Sequence, residues 1–379
     1  PWVRVSPHRV LLALGTMTAV ISMWISNTTA TALMLPVALG LLATLRDAHT
    51  PGDGMDKSGY PIAMMLTLSY AATAGGLATI IGTPPNLLGI GLLSQQAGIS
   101  ISFLTWMGFG LPLAILMVLL GWALLHWAYP TQAFGLSTLE QHLCAQRAQL
   151  GPWTKGQFNA CFAFGAAVLL WIGPGLIAAV WGHASPLASW LETHLPNELV
   201  ALLTAGLLFI LPVNLRTGDF TLSWKQATAI NWGTILLFGG GLAFGELMVK
   251  TGLSTVLGHG FVAWFGVETV WSLTAVSILA AVAISELASN TASASMLIPV
   301  VIAIAQSAEV PVIPPALGAC LGASLGFALP VSTPPNAIVY GTGLVPIRSM
   351  VRTGLLFDLL GSILIWLTLR LLCPVLGLA

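Results

Sequence analysis

"SNTTATALMLPVA" at residues 26–38 returns as "SNTASASMLIPVV" at 289–301, and "GTPPNLLGIG" at 82–91 returns as "STPPNAIVYG" at 332–341. Two different motifs recurring in the same order point to a duplicated unit. Each motif interrupts an otherwise apolar run with hydrogen-bonding side chains or with paired prolines. The solvent around those runs therefore decides what the motifs are for.

Composition identifies that solvent. Hydrophobic residues make up 56% of the 379 and charged residues 6%, against about 25% charged in a soluble domain. Stretches such as 102–129, 158–181 and 351–372 have the roughly 20 apolar residues that a helical bilayer crossing needs. Seven to nine such segments are expected, several of them interrupted. The 12 Lys and Arg balance the 12 Asp and Glu, and the absence of a basic run argues against nucleic acid. Cys144, Cys161, Cys320 and Cys373 have no metal-like spacing and read as small packing residues. The opening "PWVRVSPHRV" has neither an initiator Met nor a signal-peptide pattern, and looks cut from something longer. Compact loops suggest a bacterial inner membrane.

The Ser-Asn-Thr knot lies near the middle of 9–46, between Arg9 and Arg46. Arms of roughly 11–25 and 30–45 look short against a core of about 30 Å at 1.5 Å per residue. A re-entrant hairpin with the knot at its tip fits better than a crossing. Arg9 and Arg46 would place its open end in the cytoplasm. The same shape fits 269–306 around Ser289-Asn290-Thr291. The Pro-Pro motifs read as breaks in spanning helices. Pro84 cannot continue a helix that has run to Ile81, and Thr83-Pro84 suits the N-cap and first position of a new one. Thr333-Pro334 repeats the pattern.

Such breaks leave carbonyls unpaired where one half-helix ends and N–H groups unpaired where the next begins, which lipid does not tolerate. Carbonyls with Ser hydroxyls and Asn amide oxygens make an uncharged cage for a hard monovalent cation. Helix N-termini with Thr hydroxyls and Asn amides suit an anion such as a carboxylate. None of the four motifs contains Lys, Arg or His, so a dianion bound there would need co-bound cations to offset its charge. That favours cation-coupled uptake over exchange.

Other candidates are weaker. Ser, Thr and Asn in isolated membrane helices commonly serve packing, but the paired recurrence argues against that reading here. "GASLG" at 322–326 matches a hydrolase pattern around Ser324 without its strand–turn–helix context, and no catalytic dyad supports an enzyme. Glu246 and Glu286 lie in apolar segments and are functional candidates by position; Glu286 either tunes the second cation site or faces a polar cavity. "FGGGLAFG" at 238–245 reads as close helix packing. Asn27-Thr28-Thr29 is a formal glycosylation sequon without meaning inside an apolar hairpin.

"SMWISNTTATALMLPVA", "IGTPPN", "SNTASASM", "STPPNAIVYG" and "NWGTILLFGGGLAFGELM" at 231–248 together resemble the divalent anion:sodium symporters, which carry dicarboxylates, citrate or sulfate. The resemblance implies an all-α polytopic membrane protein with an inverted-repeat, elevator-type fold, two re-entrant hairpins and two broken transmembrane helices, working as a homodimer in its full-length form. It implies sodium as the co-transported ion, with no organic cofactor. Carried over by motif, one sodium site would take Ser22, Ser26, Asn27 and Gly82, and the other Ser285, Ala288, Ser289, Asn290 and Ser332. Substrate would touch Asn27, Thr28 and Thr83, and Asn290, Thr291, Thr333 and Pro334.

The organisation implied is a first-repeat transport part at 1–130, with hairpin 9–46, broken helix 60–95 and a following helix. A polar linker or surface helix follows at 131–157, then scaffold-type helices at 158–260. The second-repeat transport part at 261–379 has hairpin 269–306, broken helix 314–346 and a terminal helix. The function expected is sodium-coupled symport of a C4-dicarboxylate such as succinate, malate or fumarate, with a sulfate or citrate carrier, or a dicarboxylate exchanger, as the alternative.

Overall fold

The computed structural model describes residues 6–47, 59–130, 151–182, 185–230, 232–253, 256 and 269–378. It is mostly helical, and the chain divides into two compact units. One comprises Pro1–Ser100, Met107–Leu143 and Gly233–Ala379; the other comprises Ile101–Trp106 and Cys144–Trp232.

In the first unit, α1 (Pro7–Ser22) and α2 (Asn27–Asp47) form a helix–turn–helix around the Ser-Asn-Thr knot, followed by α3 (Tyr60–Gly76), α4 (Pro84–Ala97) and α5 (Phe103–Ala128), whose first turn belongs to the second unit. The second unit continues with α6 (Lys155–Trp181), α7 (Pro186–His194), α8 (Asn197–Ile210), strands β1 (Pro212–Asn214) and β2 (Asp219–Phe220), and the short α9 (Trp224–Ala227). The first unit resumes in α10 (Trp232–Lys250). A second copy of the opening series follows as α11 (Val270–Leu287), α12 (Asn290–Ser307), α13 (Ile313–Ala323), α14 (Pro334–Gly341) and α15 (Ile347–Val375).

The duplication read from the motifs extends to packing. α1 and α2 pack on α3 as α11 and α12 pack on α13. Across the repeats, α14 packs on α2 and α3 just as α4 packs on α12 and α13. The indole of Trp122 on α5 donates to the His8 carbonyl at 2.9 Å, and that of Trp366 on α15 donates to the Trp271 carbonyl at 2.9 Å. His126 stacks on the first indole and Arg370 lies over the second. Each tie joins the first turn of a hairpin to the helix that follows the same repeat's break.

α3 and α13 occupy the centre, with nearly every residue buried. Their Ala, Gly, Ser and Thr content lets backbones approach closely. A Cβ on Gly75 would lie 2.3 Å from the Ala19 carbonyl oxygen, and one on Gly322 would lie 2.8 Å from that of Ile278. Small residues thus set both the α1–α3 and the α11–α13 contact, at places that do not correspond: Gly75 lies three residues after Ala72 and Gly322 one before Ala323. The "GGG" run behaves in part as expected: Gly241 and Gly245 abut Ser295 and Gln96, while Gly239 and Gly240 face open space.

Among the described residues, seven helices are long and apolar enough to cross a membrane, matching the lower end of the sequence expectation; the chain is a polytopic membrane protein. Three of the seven are hairpin arms: α2 over Asn27–Leu45, α11 and α12. The premise that every arm is too short to cross therefore holds only for the 16-residue α1. Helix starts at Asn27 and Asn290, immediately after the Ser caps, lengthen α2 and α12 beyond what the knot alone suggests, and α11 runs 18 residues from its own Thr269 cap.

The chain is not wholly helical. Polar segment 214–226 holds one strand of a two-stranded antiparallel ribbon, Pro212 opposite Phe220, with Gly218 at φ +72° in its turn. In the same unit, Phe103 stacks on Trp171 at 5.3 Å and a Thr154–Gln157 capping box starts α6. The surface helix expected in 131–157 falls mostly outside the described residues, as does Cys144. Cys320 and Cys373 are buried, whereas Cys161 is exposed.

Gly75→Ala is expected to force α1 from α3 and to destabilise the protein by about 1–3 kcal/mol, the usual range for overpacking. Gly40→Ala, where nothing lies within 4 Å, is expected to be neutral or stabilising by up to about 1 kcal/mol. Thermal melting of both variants in detergent checks the contrast.

Candidate functional site

α3 stops at Gly76, not near Ile81 as the position of Pro84 alone suggested, and α4 begins at Pro84 after an extended Thr83 (φ −146°, ψ 146°). Two glycines end the helix early, because glycine is a poor helix former, and Gly76 is needed for space: its Cβ would sit 2.4 Å from Asn27 Oδ1. In the second repeat α13 stops at Ala323 and α14 begins at Pro334 after an extended Thr333 (φ −139°, ψ 144°).

Each gap is pinned by an asparagine that the sequence reading passed over. The Asn86 amide donates to the Gly76 and Thr79 carbonyls at 2.9 and 2.8 Å. The Asn336 amide donates to the Gly326 and Leu329 carbonyls at 2.9 and 3.0 Å. Both side chains are fully buried. The signal was present in the sequence: Asn follows Pro-Pro in both copies of the motif, and backbone carbonyls released by a break need donors.

The hairpin tips close onto these breaks through matching clusters. The Ser22 hydroxyl lies 2.8 Å from Asn27 Oδ1 and 2.6 Å from the Ala72 carbonyl oxygen. Ser285 lies 2.8 Å from Asn290 Oδ1 and 2.8 Å from the Ala323 carbonyl oxygen. Asn290 also donates to the Ser324 carbonyl at 3.0 Å. Gly82 joins the first cluster through Gly76, whose carbonyl oxygen would lie 2.5 Å from a Cβ on Gly82. Ser332 joins the second: Gly326, at φ +146°, has the Ser332 and Ser285 hydroxyls on either side of where its Cβ would be, at 3.4 and 3.5 Å.

Ser26 and Ser289 sit differently. Ser26 Oγ accepts the Thr29 N–H and contacts the Thr29 hydroxyl, and Ser289 Oγ accepts the Ala292 N–H. These hydroxyls cap α2 and α12, while Ala288 is extended beside the cluster. The buried Thr73, next to Ala72, has a hydroxyl without a hydrogen-bond partner.

Hydroxyl, amide and carbonyl oxygens on unwound backbone suit a small hard monovalent cation. Among the described residues no group of three or more His, Cys, Asp or Glu side chains gathers to hold a metal ion.

The expected anion contacts lie at four helix starts, where N–H groups lack intrahelical partners. Thr83 and Thr333 are buried, Asn27, Asn290 and Thr291 are half-buried, and Thr28 and Pro334 are exposed. Thr83 makes no cap hydrogen bond, whereas Thr333 accepts the Asn336 N–H at 3.4 Å.

The two glutamates separate. Glu246 is exposed and paired with Lys250 at 2.5 Å on the same helix face. Glu286 is buried and accepts the Ala328 and Leu329 N–H groups at 2.8 and 3.1 Å, while Asp358 accepts that of Phe327 at 3.3 Å. Glu286 thus holds the second break's backbone. Ser324 is buried at the end of α13, with its hydroxyl 3.5 Å from the Cys320 carbonyl oxygen.

The family described as the sodium:sulfate symporter transmembrane region matches residues 5–378, and the chain belongs to that family. It is thus an integral membrane transporter and not an enzyme. A sodium-dependent dicarboxylate transporter of Staphylococcus saprophyticus is 30% identical over 374 residues, 97% of this chain and 70% of that protein. The transporter of the same description from Staphylococcus aureus is 31% identical over 377 residues, 98% of this chain and 70% of its own length.

Removing the Asn86 or Asn336 amide leaves two carbonyls without these donors. Asn86→Ala and Asn336→Ala are each expected to lose about 2–4 kcal/mol, from two hydrogen bonds and the groups left unpaired. A melting temperature unchanged from the parent protein in either variant would refute that role.

Proposed function

We propose that the chain carries out secondary active, sodium-coupled symport of a divalent anion, and that the anion is a C4-dicarboxylate such as succinate, malate or fumarate. Membership of the family supports sodium-coupled anion transport. The dicarboxylate follows the description of the two staphylococcal relatives. The single observation that carries the reading is the pair of matching oxygen clusters, Ser22–Asn27–Ala72 and Ser285–Asn290–Ala323.

In this reading, Ser22, Asn27 and the Gly82 backbone hold one sodium ion, with Ser26 contributing as the cap that fixes the hairpin tip. Ser285, Asn290, Ser332 and the Ala288 backbone hold the other, with Ser289 in the capping role. Sodium competes for the Ser hydroxyl and Asn oxygen that otherwise pair with each other, so binding exchanges one interaction for another within each cluster. The anion sits against Asn27, Thr28 and Thr83 from one repeat and Asn290, Thr291, Thr333 and Pro334 from the other. Two co-bound cations offset its charge, which uncharged side chains alone would leave in a low-dielectric site at high cost. The coupling follows: without sodium the anion binds weakly, and without the anion the cations repel.

Re-entrant hairpins at both knots, an inverted repeat and elevator-type alternating access belong to the same proposal. The paired contacts described above support a movement of the repeats as one body. The full-length protein is proposed to be a homodimer.

The test is uptake of labelled succinate into proteoliposomes holding the full-length protein, with and without an inward sodium gradient. Sodium-dependent accumulation that falls at least about tenfold in Asn27→Ala and in Asn290→Ala is expected, since each removes a half-buried ligand worth more than about 1.4 kcal/mol. Uptake stimulated by internal dicarboxylate and indifferent to sodium would mean exchange. Sulfate uptake in place of succinate would keep the coupling and replace the substrate.

A further inference from the structure

We propose that Ser69 and Cys320 are positioning residues through which each repeat sets the geometry of the other repeat's helix break. Ser69 lies on α3 in the first repeat, fully buried, and its hydroxyl donates to Asn336 Oδ1 in the second repeat. Cys320 lies on α13 in the second repeat, also fully buried. Its thiol is 3.1 Å from the Pro85 carbonyl oxygen and 3.9 Å from Asn86 Oδ1 in the first. The two residues occupy corresponding places, each one turn before the carbonyl, Ala72 or Ala323, that meets the hairpin serine.

The chemistry gives these contacts leverage. An asparagine side chain offers two N–H donors and one carbonyl acceptor. In Asn336 the donors face the Gly326 and Leu329 carbonyls of its own break, and the remaining oxygen accepts from Ser69. The far repeat therefore fixes which way the amide points. Without Ser69 the oxygen is buried and unpaired, and the amide loses the contact that opposes its rotation. Gly326 and Leu329 would then lose the amide donors and keep only what Ser332 supplies, whose hydroxyl lies 2.8 and 2.7 Å from the same two carbonyl oxygens and would no longer be held in one place by the amide. Cys320 acts in the opposite direction on Pro85 and Asn86, with the weaker donor strength of a thiol. A Cβ on Gly89 would lie 2.8 Å from the Cys320 sulfur, so the thiol is seated closely against α4.

The signature is crossed. Ser69→Ala should loosen the second break, at 324–333, and leave the first, at 77–83, as it was. Cys320→Ala should do the reverse, by a smaller factor. Hydrogen exchange of the full-length protein in detergent reads both breaks at once. About tenfold faster exchange at 324–333 is expected for Ser69→Ala, the size that follows from leaving one buried acceptor unpaired. Ser69→Cys, which places the second repeat's chemistry in the first, should restore most of the protection. Faster exchange in the mutated residue's own repeat, equal change in both breaks, or no change would overturn the proposal. Should Ser69→Ala fail to fold, Cys320→Ala and Ser69→Cys decide it on the same criteria.

A second readout rests on the proposed function. Sodium-dependent thermal stabilisation in an Asn27→Ala background reports the second half-site, and in an Asn290→Ala background the first. Ser69→Ala should weaken the former several-fold and spare the latter. If sodium stabilises none of these proteins, the symport reading fails, while the exchange data still decide the cross-repeat contact.

Discussion

A backbone carbonyl released where a helix ends in a buried interior has no water to turn to, and much of this structure follows from how those carbonyls are satisfied. At two places one helix ends and another begins at a Pro-Pro pair, and in each case a buried asparagine just after that pair reaches back to two of the freed carbonyls. The same constraint explains why the hairpin tips dock where they do. Ser22 and Ser285 place hydroxyls beside the Ala72 and Ala323 carbonyls, near the ends of α3 and α13. Oxygen atoms therefore converge at the breaks because folding requires partners there, and the cation sites proposed above would need only a small modification of that arrangement.

The two breaks solve the problem with different means. The first is compact, and turn hydrogen bonds such as Leu77 N–H to Ala74 and Gly82 N–H to Thr79 serve much of its backbone. The second leaves its helix sooner, and three successive N–H groups at 327–329 point at the carboxyls of Asp358 and Glu286. Phe327 is further held by Tyr70 and Phe357, at 5.0 and 4.5 Å between ring centres. Acidic side chains at this place hold backbone, which is a sufficient physical reason for them to lie in an apolar segment.

Much of this could be read from the sequence, because repetition converts weak local signals into strong ones. The paired "SNT" and "TPPN" stretches located both hairpin turns and both N-caps at Thr83 and Thr333, whereas Ser22 and Ser285 entered only through the family resemblance, as cation ligands. What escaped had physical causes. The end of α3 at Gly76 depended on close approach to Asn27, which no local rule contains. The arm lengths depended on helices starting directly after their caps. Asn86 and Asn336 were present in both motifs, but their role needs a carbonyl up to ten residues back. The ribbon at 212–220 came from a polar segment that composition alone marks only as a joint.

The indole ties of Trp122 and Trp366 join the first turn of each hairpin to the helix beyond the same repeat's break. With them, each repeat becomes mechanically a closed loop rather than an open string of helices: its entrance is fastened to its exit. A closed loop cannot hinge open at one joint without tearing another, so strain introduced at a hairpin tip is shared around the whole circuit. The yielding parts of the molecule then lie outside these circuits, and point substitutions at the ties act on distant segments through stiffness rather than through contact.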